Sequence, residues 1–209
     1  MDSLVAAAIH DAKNALTALN TWLAEAQRQA PSPALGQAQA VAARISAQLV
    51  ELLTLYRADQ GRLRLAIEDH YLDDFLADVM AELGPPPAAI AVETDFAAAA
   101  IGAWAFDAYQ VKFALLDALR NALRHASGRV GFTLSAEPNG GIRFTVADDG
   151  AGFPETVLAG GAGAMTETSS GLGLSFARLI AERHVTPAGR HGRIELINEG
   201  GAHFVLVLP

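Results

Sequence analysis

The chain has no cysteine, which removes disulfides, thiolate nucleophiles and thiolate zinc sites in one step and agrees with a reducing compartment. Lysine is nearly absent too, occurring only as Lys13 and Lys112. A formal charge of −8 over 209 residues argues against a general nucleic-acid binder, because neutralising phosphates takes concentrated Lys and Arg. No apolar run approaches the roughly 18 to 20 residues that a membrane helix takes. The start, MDSLVAAAIHDAKN, lacks the basic segment of a secretory signal. A cytoplasmic protein with no membrane segment and no nucleic-acid partner is expected.

What is present is apolar residue in quantity: 51% of the chain, enough to bury one full-sized core plus a smaller element. Val5, Ile9, Ala12, Leu16, Leu19, Leu23 and Ala26 recur at alternating spacings of four and three, the period of a coiled-coil seam, and predict a helix over about residues 3–29. Pro31-Ser32-Pro33 breaks it, and Ala38, Ala42, Ile45, Leu49, Leu52 and Tyr56 repeat the spacing on a second helix. Such a hairpin exposes a long apolar stripe, which either pairs with a second copy as a dimeric four-helix bundle or folds onto the remainder of the same chain. The homodimer is the expectation.

From Gly61 the pattern changes, so residues 1–60 are expected to be the helical hairpin and 61–209 a second domain. Arg62-Leu63-Arg64-Leu65 alternates like a strand, Tyr71 to Leu83 returns to helical spacing, and Gly84-Pro85-Pro86-Pro87 ends it. Ile90 to Glu93 reads as a short strand and Tyr109 to His125 as a helix. Val130 to Leu134 and Ile142 to Val146 predict a hairpin turned at Pro138-Asn139-Gly140-Gly141. Leu174 to Arg183 reads as helix, with Arg193 to Asn198 and Ala202 to Leu208 a last hairpin. Strands and helices mix without regular βαβ alternation, so the fold class is α+β, with helices on one face of a mixed sheet.

Three motifs could carry chemistry. Asp148-Asp149-Gly150-Ala151-Gly152 follows a predicted strand. Its glycines allow a tight turn and close approach to a ligand, and a carboxylate at a strand end can accept from an exocyclic amine such as that of adenine. By itself the segment is equally a plain turn. Ser170-Gly171-Leu172-Gly173-Leu174 opens a helix, where backbone N–H groups and the helix dipole favour phosphate, although packing alone could also demand these glycines. Upstream, Asp117, Asn121 and His125 fall at i, i+4, i+8 on one stripe, with Arg124 beside it. Because Leu115, Leu116, Leu119 and Leu123 make the rest of that helix apolar, the polar line must face water or a ligand.

Taken in order, these motifs resemble the GHKL-type ATP-binding domain shared by histidine kinases, Hsp90-type chaperones, gyrase-type topoisomerases and mismatch-repair ATPases. The resemblance implies an ATP site in which Asn121 coordinates Mg²⁺ between the phosphates, with Asp117 beside it at the metal. It further implies that Asp148 receives the adenine amine, Gly150 and Gly152 line the base pocket, and Gly171 and Gly173 hold the lid end against the phosphates. Arg124 and His125 look like the pair that follows the magnesium asparagine. Gly200-Gly201 looks like the family's terminal glycine element. On the first helix, Ile9-His10-Asp11-Ala12-Lys13-Asn14-Ala15-Leu16 resembles the phosphoacceptor box of two-component histidine kinases. His10 follows the seam residue Ile9 and should reach solvent at the bundle edge.

The implied activity is a sensor histidine kinase core that autophosphorylates His10 from Mg-ATP and passes the phosphoryl group to an aspartate of a response-regulator receiver domain. A neutral imidazole nitrogen is a competent nucleophile for this transfer. Asp11 would accept a proton or orient the ring, and Asn14 would position water for dephosphorylating the partner. Only nine residues precede His10, so input is expected from a separate sensor protein, from the bundle or from a second chain. Two departures stand out: Pro154 to Ser170 has no recognisable phenylalanine box and no Lys or Arg. They leave open a histidine phosphotransferase, a relay protein with a degenerate ATP domain. A serine kinase on the same ATP domain is disfavoured because it gives the hairpin and His10 no purpose. His70, His184, His191 and His203 are too scattered for a metal site and are expected to be structural or on the surface.

Overall fold

Period-3.5 apolar spacing in the first sixty residues becomes a two-helix hairpin, α1 (Asp2–Gln29) and α2 (Pro33–Asp59). The computed structural model describes the backbone of residues 2–159 and 171–209, and the side chains from Asp11 onward within those spans except that of Lys13. Ser32 caps α2, accepting from Leu35 N–H at 3.2 Å, and Pro33 stands at the first helical position, where its missing N–H costs nothing. Asn20 Nδ2 reaches Ser46 Oγ at 3.4 Å, setting which turns of the two helices face one another. Among the described hairpin residues only Ala42, Glu51 and Thr54 are buried, while Leu19, Val41, Ile45 and Leu52 stay exposed. The apolar stripe therefore has no core of its own within one chain.

Residues 1–63 and 64–209 fold as two separate compact units. In the second unit come β1 (Glu68–Tyr71), α3 (Leu72–Leu83), β2 (Ala91–Asp95), a 3-10 turn (Ala97–Ile101) and β3 (Ala103–Phe106). These are followed by α4 (Ala108–His125), β4 (Arg129–Ala136), β5 (Ile142–Asp148), α5 (Glu155–Leu158), α6 (Leu172–Arg183), β6 (Arg193–Asn198) and β7 (Ala202–Leu208). Five strands form one sheet in the order β2-β4-β5-β7-β6, with β2 parallel to β4 and every other pair antiparallel. A separate ribbon pairs β1 with β3. The architecture is the expected one, an N-terminal helical hairpin followed in the chain by helices and a mixed sheet.

One local expectation fails. Residues 62–65 alternate in burial but form no strand, because nothing pairs with them; the strand lies at Glu68–Tyr71, and Ala66 N–H instead donates to Asp107 Oδ2 at 2.9 Å. Alternation records which side chains face inward, whereas a strand also takes a hydrogen-bonding neighbour. The true strand β1 finds that neighbour in β3, Ala-Trp-Ala-Phe, whose four residues are too short a run to stand out in the sequence.

Along β5, burial alternates strictly, and register carries the pattern across the sheet: Phe132, Val146 and Phe204 align, as do Leu134, Phe144 and Leu206. This face meets Leu72, Leu76 and Val79 of α3, Val111, Leu115 and Leu119 of α4, and Phe176 and Ile180 of α6, all buried. Each such side chain contributes about 1.5–3 kcal/mol by leaving water. Asp148 lies on the same face as the apolar row, at the last position of the middle strand, and is itself buried. On the opposite face Glu137, Arg143, Arg193 and Glu195 close a ring of ion pairs.

Candidate functional site

α4 begins at Asp107, whose Oδ1 accepts Gln110 N–H at 3.0 Å. Its apolar side is locked into the core, which turns Asp117 and Asn121, both half-buried, and then exposed His125 along the other stripe. Burial pushes the Asp117 carboxyl up from its ordinary value of 3.8, and Arg124 and Arg120 pull it back down. A cation or a hydrogen-bond donor arriving beside Asp117 would therefore find a carboxylate held in a dry place. Arg124 is exposed at the end of the helix.

Where α4 ends, three consecutive amides converge on one carboxylate: Ser127, Gly128 and Arg129 N–H donate to Asp149 Oδ1 at 2.8, 3.0 and 3.0 Å. These bonds, that from Arg129 foremost and then that from Gly128, hold the Asp149 carboxyl below its ordinary range. Asp149 thus fastens the α4–β4 turn to the end of β5. Asp148 points the other way. Its Oδ1 accepts Gly150 N–H at 2.8 Å and Ala202 N–H at 3.4 Å, and no hydrogen bond of the described residues reaches Oδ2. The neighbouring carboxylates are therefore divided between fastening and presentation.

Glycine is required around Asp148 by crowding. A Cβ at Gly150 would overlap the carbonyl oxygen of His125, the last residue of α4, and one at Gly201 would overlap the carbonyl oxygen of Asp148. At Gly152, where φ is +83°, a Cβ would meet the Asn198 carboxamide at 2.8 Å. That carboxamide grips the loop from both sides, accepting Phe153 N–H at 2.7 Å and donating to Phe153 O at 2.9 Å. The end of α4, the end of β5, the Gly152 loop and the β6–β7 turn are thereby packed around one buried carboxylate.

Gly171 is the N-cap of α6 in the left-handed conformation, with φ 67°. Gly173 is the second residue of α6, which begins two residues earlier than the expected Leu174. Phe113 and Phe176 meet edge to face at 5.1 Å and tie α4 to α6. Ser170 and the lid residues 160–169 lie outside the described residues. In the other unit, Asp11 and Asn14 are exposed on α1, whereas His10 lies on the same helix with its side chain outside the described ones. Sequence reasoning passed over Glu51, buried in α2, and Asn198, Asp107 and Asp149, whose partners lie 20 or more residues away or on another helix.

Residues 106–209, which hold the glycine-walled carboxylate, the polar stripe of α4 and the start of α6, match the family described as histidine kinase-, DNA gyrase B-, and HSP90-like ATPase. The C-terminal unit is an ATP-binding domain of that family. Solved structures extend the likeness to the hairpin. The Acinetobacter baumannii histidine kinase AdeS aligns at 17% identity and a TM-score of 0.63, over 92% of this chain and 94% of that one. The cytoplasmic segment of histidine kinase QseC aligns at 20% identity and 0.56, over 79% and 93%. Full-length ShkA in complex with AMPPNP aligns at 18% identity and 0.69, over the whole of this chain and 46% of its own. At these identities what is shared is the fold, that of a histidine kinase core. No curated protein sequence matches the chain. No helix among the described residues is long and apolar enough to cross a membrane.

Proposed function

We propose that the protein is the core of a two-component histidine kinase, which phosphorylates His10 from Mg-ATP and passes the phosphoryl group to an aspartate of a response-regulator receiver domain. The observation that carries this most directly is Asp148: a buried carboxylate at the end of the central strand, with Oδ2 left for a ligand amine and Gly150, Gly152 and Gly201 letting the neighbouring backbone pack close around it. The adenine amine is the donor it suits. Asn121 and Asp117 offer hard oxygen donors of the kind that magnesium takes. Among the described residues no group of three or more carboxylates or histidines could hold a metal alone, so the ion would be held jointly by these side chains and the phosphates. The first turn of α6, which opens at left-handed Gly171 and contains Gly173, suits the phosphate end.

Bound Mg-ATP supplies a γ-phosphoryl group whose charge is partly neutralised by the metal. In the transfer an imidazole nitrogen of His10 forms a bond to the γ-phosphorus as the bond to the bridging β–γ oxygen breaks, and ADP leaves. Asp11, exposed one residue on, would orient the ring or accept its proton, and Asn14, exposed one turn on, would steer a water for dephosphorylating the partner. Homodimerisation is supported by the exposed apolar stripe, to which Trp22, 69% exposed, adds further apolar surface. A receiver domain, a second copy and a separate sensor complete the set of proposed partners.

Incubation with a fluorescent Mg-ATP analogue tests the nucleotide site. Saturable binding lost in Asn121→Ala supports it, and absence of saturable binding would leave the histidine phosphotransferase as the remaining account.

A further inference from the structure

The end of α6 holds a buried histidine that no nucleotide motif includes. His184 is 3% exposed. Its Nδ1 stands 2.7 Å from the carbonyl oxygen of Ile180, and its Nε2 accepts Asp107 N–H at 3.0 Å. A carbonyl only accepts and an amide only donates, so the ring carries its one proton on Nδ1 and is neutral. Asp107 is the N-cap of α4, with Oδ1 on Gln110 N–H and Oδ2 on Ala66 N–H. In a capping box the side chain at Gln110's position would reach back to accept the N-cap N–H. Here His184 has that amide, and Gln110 Oε1 is buried with no hydrogen-bond partner. Gln110 thus carries an unused acceptor at the helix position from which a capping-box side chain serves this N–H: His184 ceases to accept when it binds a proton, and the Gln110 carboxamide cannot titrate.

We propose that His184 is a positioning residue of the nucleotide site, whose neutral ring fixes the start of α4, and that proton uptake hands the Asp107 amide to Gln110 and weakens nucleotide binding. The proposal rests on α4 and α6 being the nucleotide-binding helices. A protonated Nε2 would point its hydrogen at the Asp107 N–H, so the pair must part. α4 is a continuous helix carrying Asp117 and Asn121 after this cap, and Phe113 couples it to α6 through Phe176. A displacement at its start therefore moves both nucleotide helices relative to one another.

Geometry and environment agree on the neutral ring. Burial pushes the imidazole below its ordinary 6.5, against the Ile180 hydrogen bond and the Asp107 carboxylate, which favour the proton. Asp107, at the β3–α4 junction, is the charged group acting on the ring among the described residues; Glu182 and Arg183 on α6, His191 in the loop beyond and Arg64 before β1 are exposed. Because the unfolded chain takes the proton more readily than the folded one, stability from this site is complete above about 6.5 and falls away as pH drops toward the lower folded value. If nucleotide selects the neutral ring, reciprocity requires that nucleotide lower the His184 midpoint further.

The test is a pH titration by NMR of the full chain with labelled histidines, read at the His184 ring and the Asp107 amide, beside Kd measurements with a fluorescent non-hydrolysable Mg-ATP analogue. The expected result is an Nδ1–H tautomer, an Asp107 amide that follows the His184 midpoint, a midpoint lowered by the analogue, and a Kd about fivefold or more weaker at acid pH, in line with exchanging one buried hydrogen bond for a weaker one. His184→Gln keeps an acceptor without a titrating proton, so its Kd should not weaken with acid. Gln110→Ala, a milder change, should leave the Kd near neutral pH unchanged and deepen the acid loss. An Asp107 amide indifferent to His184, or His184→Gln with the full acid loss, would overturn the proposal. No analogue binding at any pH would instead overturn the nucleotide site, while the amide titration still reports separately on the exchange of acceptors.

Discussion

Two adjacent glycines offer a matched experiment on the close packing around Asp148. Gly200 and Gly201 both have positive φ, 70° and 152°, so alanine at either forces an L residue into backbone it disfavours, at a cost of about 1–2 kcal/mol. They differ in what the new methyl meets. At Gly200 nothing lies within 4 Å, whereas at Gly201 the Asp148 carbonyl oxygen, its carbon and the Asp149 Cα all fall at or inside 3.0 Å. Relieving that contact means moving the β6–β7 turn or the end of β5 by about 1 Å, and backbone overpacking adds about 1–3 kcal/mol. Gly200→Ala should therefore cost about 1–2 kcal/mol of stability in chemical denaturation and leave analogue Kd within about twofold. Gly201→Ala should cost about 2–5 kcal/mol and, since the moving part is Asp148 itself, weaken binding by about tenfold or more. Equal losses in the two variants would refute the claim that close approach to Asp148, and not backbone freedom, is why glycine stands at Gly201.

Asp148→Asn keeps an oxygen for Gly150 and Ala202 N–H but loses the charged acceptor, so analogue affinity should fall about tenfold to a hundredfold while thermal stability changes little. Asp149 is held ionised by its three amide bonds: its contribution to stability is complete above the ordinary carboxylate value of 3.8 and is lost as pH falls through its own lower value. Asp149→Asn should flatten that acid limb in denaturation curves collected as a function of pH. Ser32→Ala removes the cap of α2 and should cost the hairpin about 1 kcal/mol, seen as a lower Tm with unchanged analogue affinity.

The sequence disclosed most where a periodic signal coincided with a fixed partner. Both hairpin helices, β6, β7 and the β4–β5 turn were readable from spacing and from Gly140-Gly141, whose φ values of 77° and 131° the turn demands. The strand expected at Arg62–Leu65 was misplaced because a side-chain pattern is local while a ladder is not, and β3, the strand that pairs with β1, is only four residues long. Asp148, Gly150 and Gly152 were identified as a group, but the reasons for the two glycines, the His125 carbonyl and the Asn198 carboxamide, are contacts across the fold. His184 was expected to be structural or on the surface; its bond to Asp107, 77 positions away, could not be read from residues that show no shared pattern.

Under the proposed function a nucleotide held by the C-terminal unit gives up its terminal phosphoryl group to His10. Incubating the full chain with γ-labelled Mg-ATP and following acid-labile label in wild type, His10→Gln and Asn121→Ala decides whether it does. Label on wild type and on neither variant is the predicted result. Undiminished label on His10→Gln, or acid-stable label on any of the three, would contradict it.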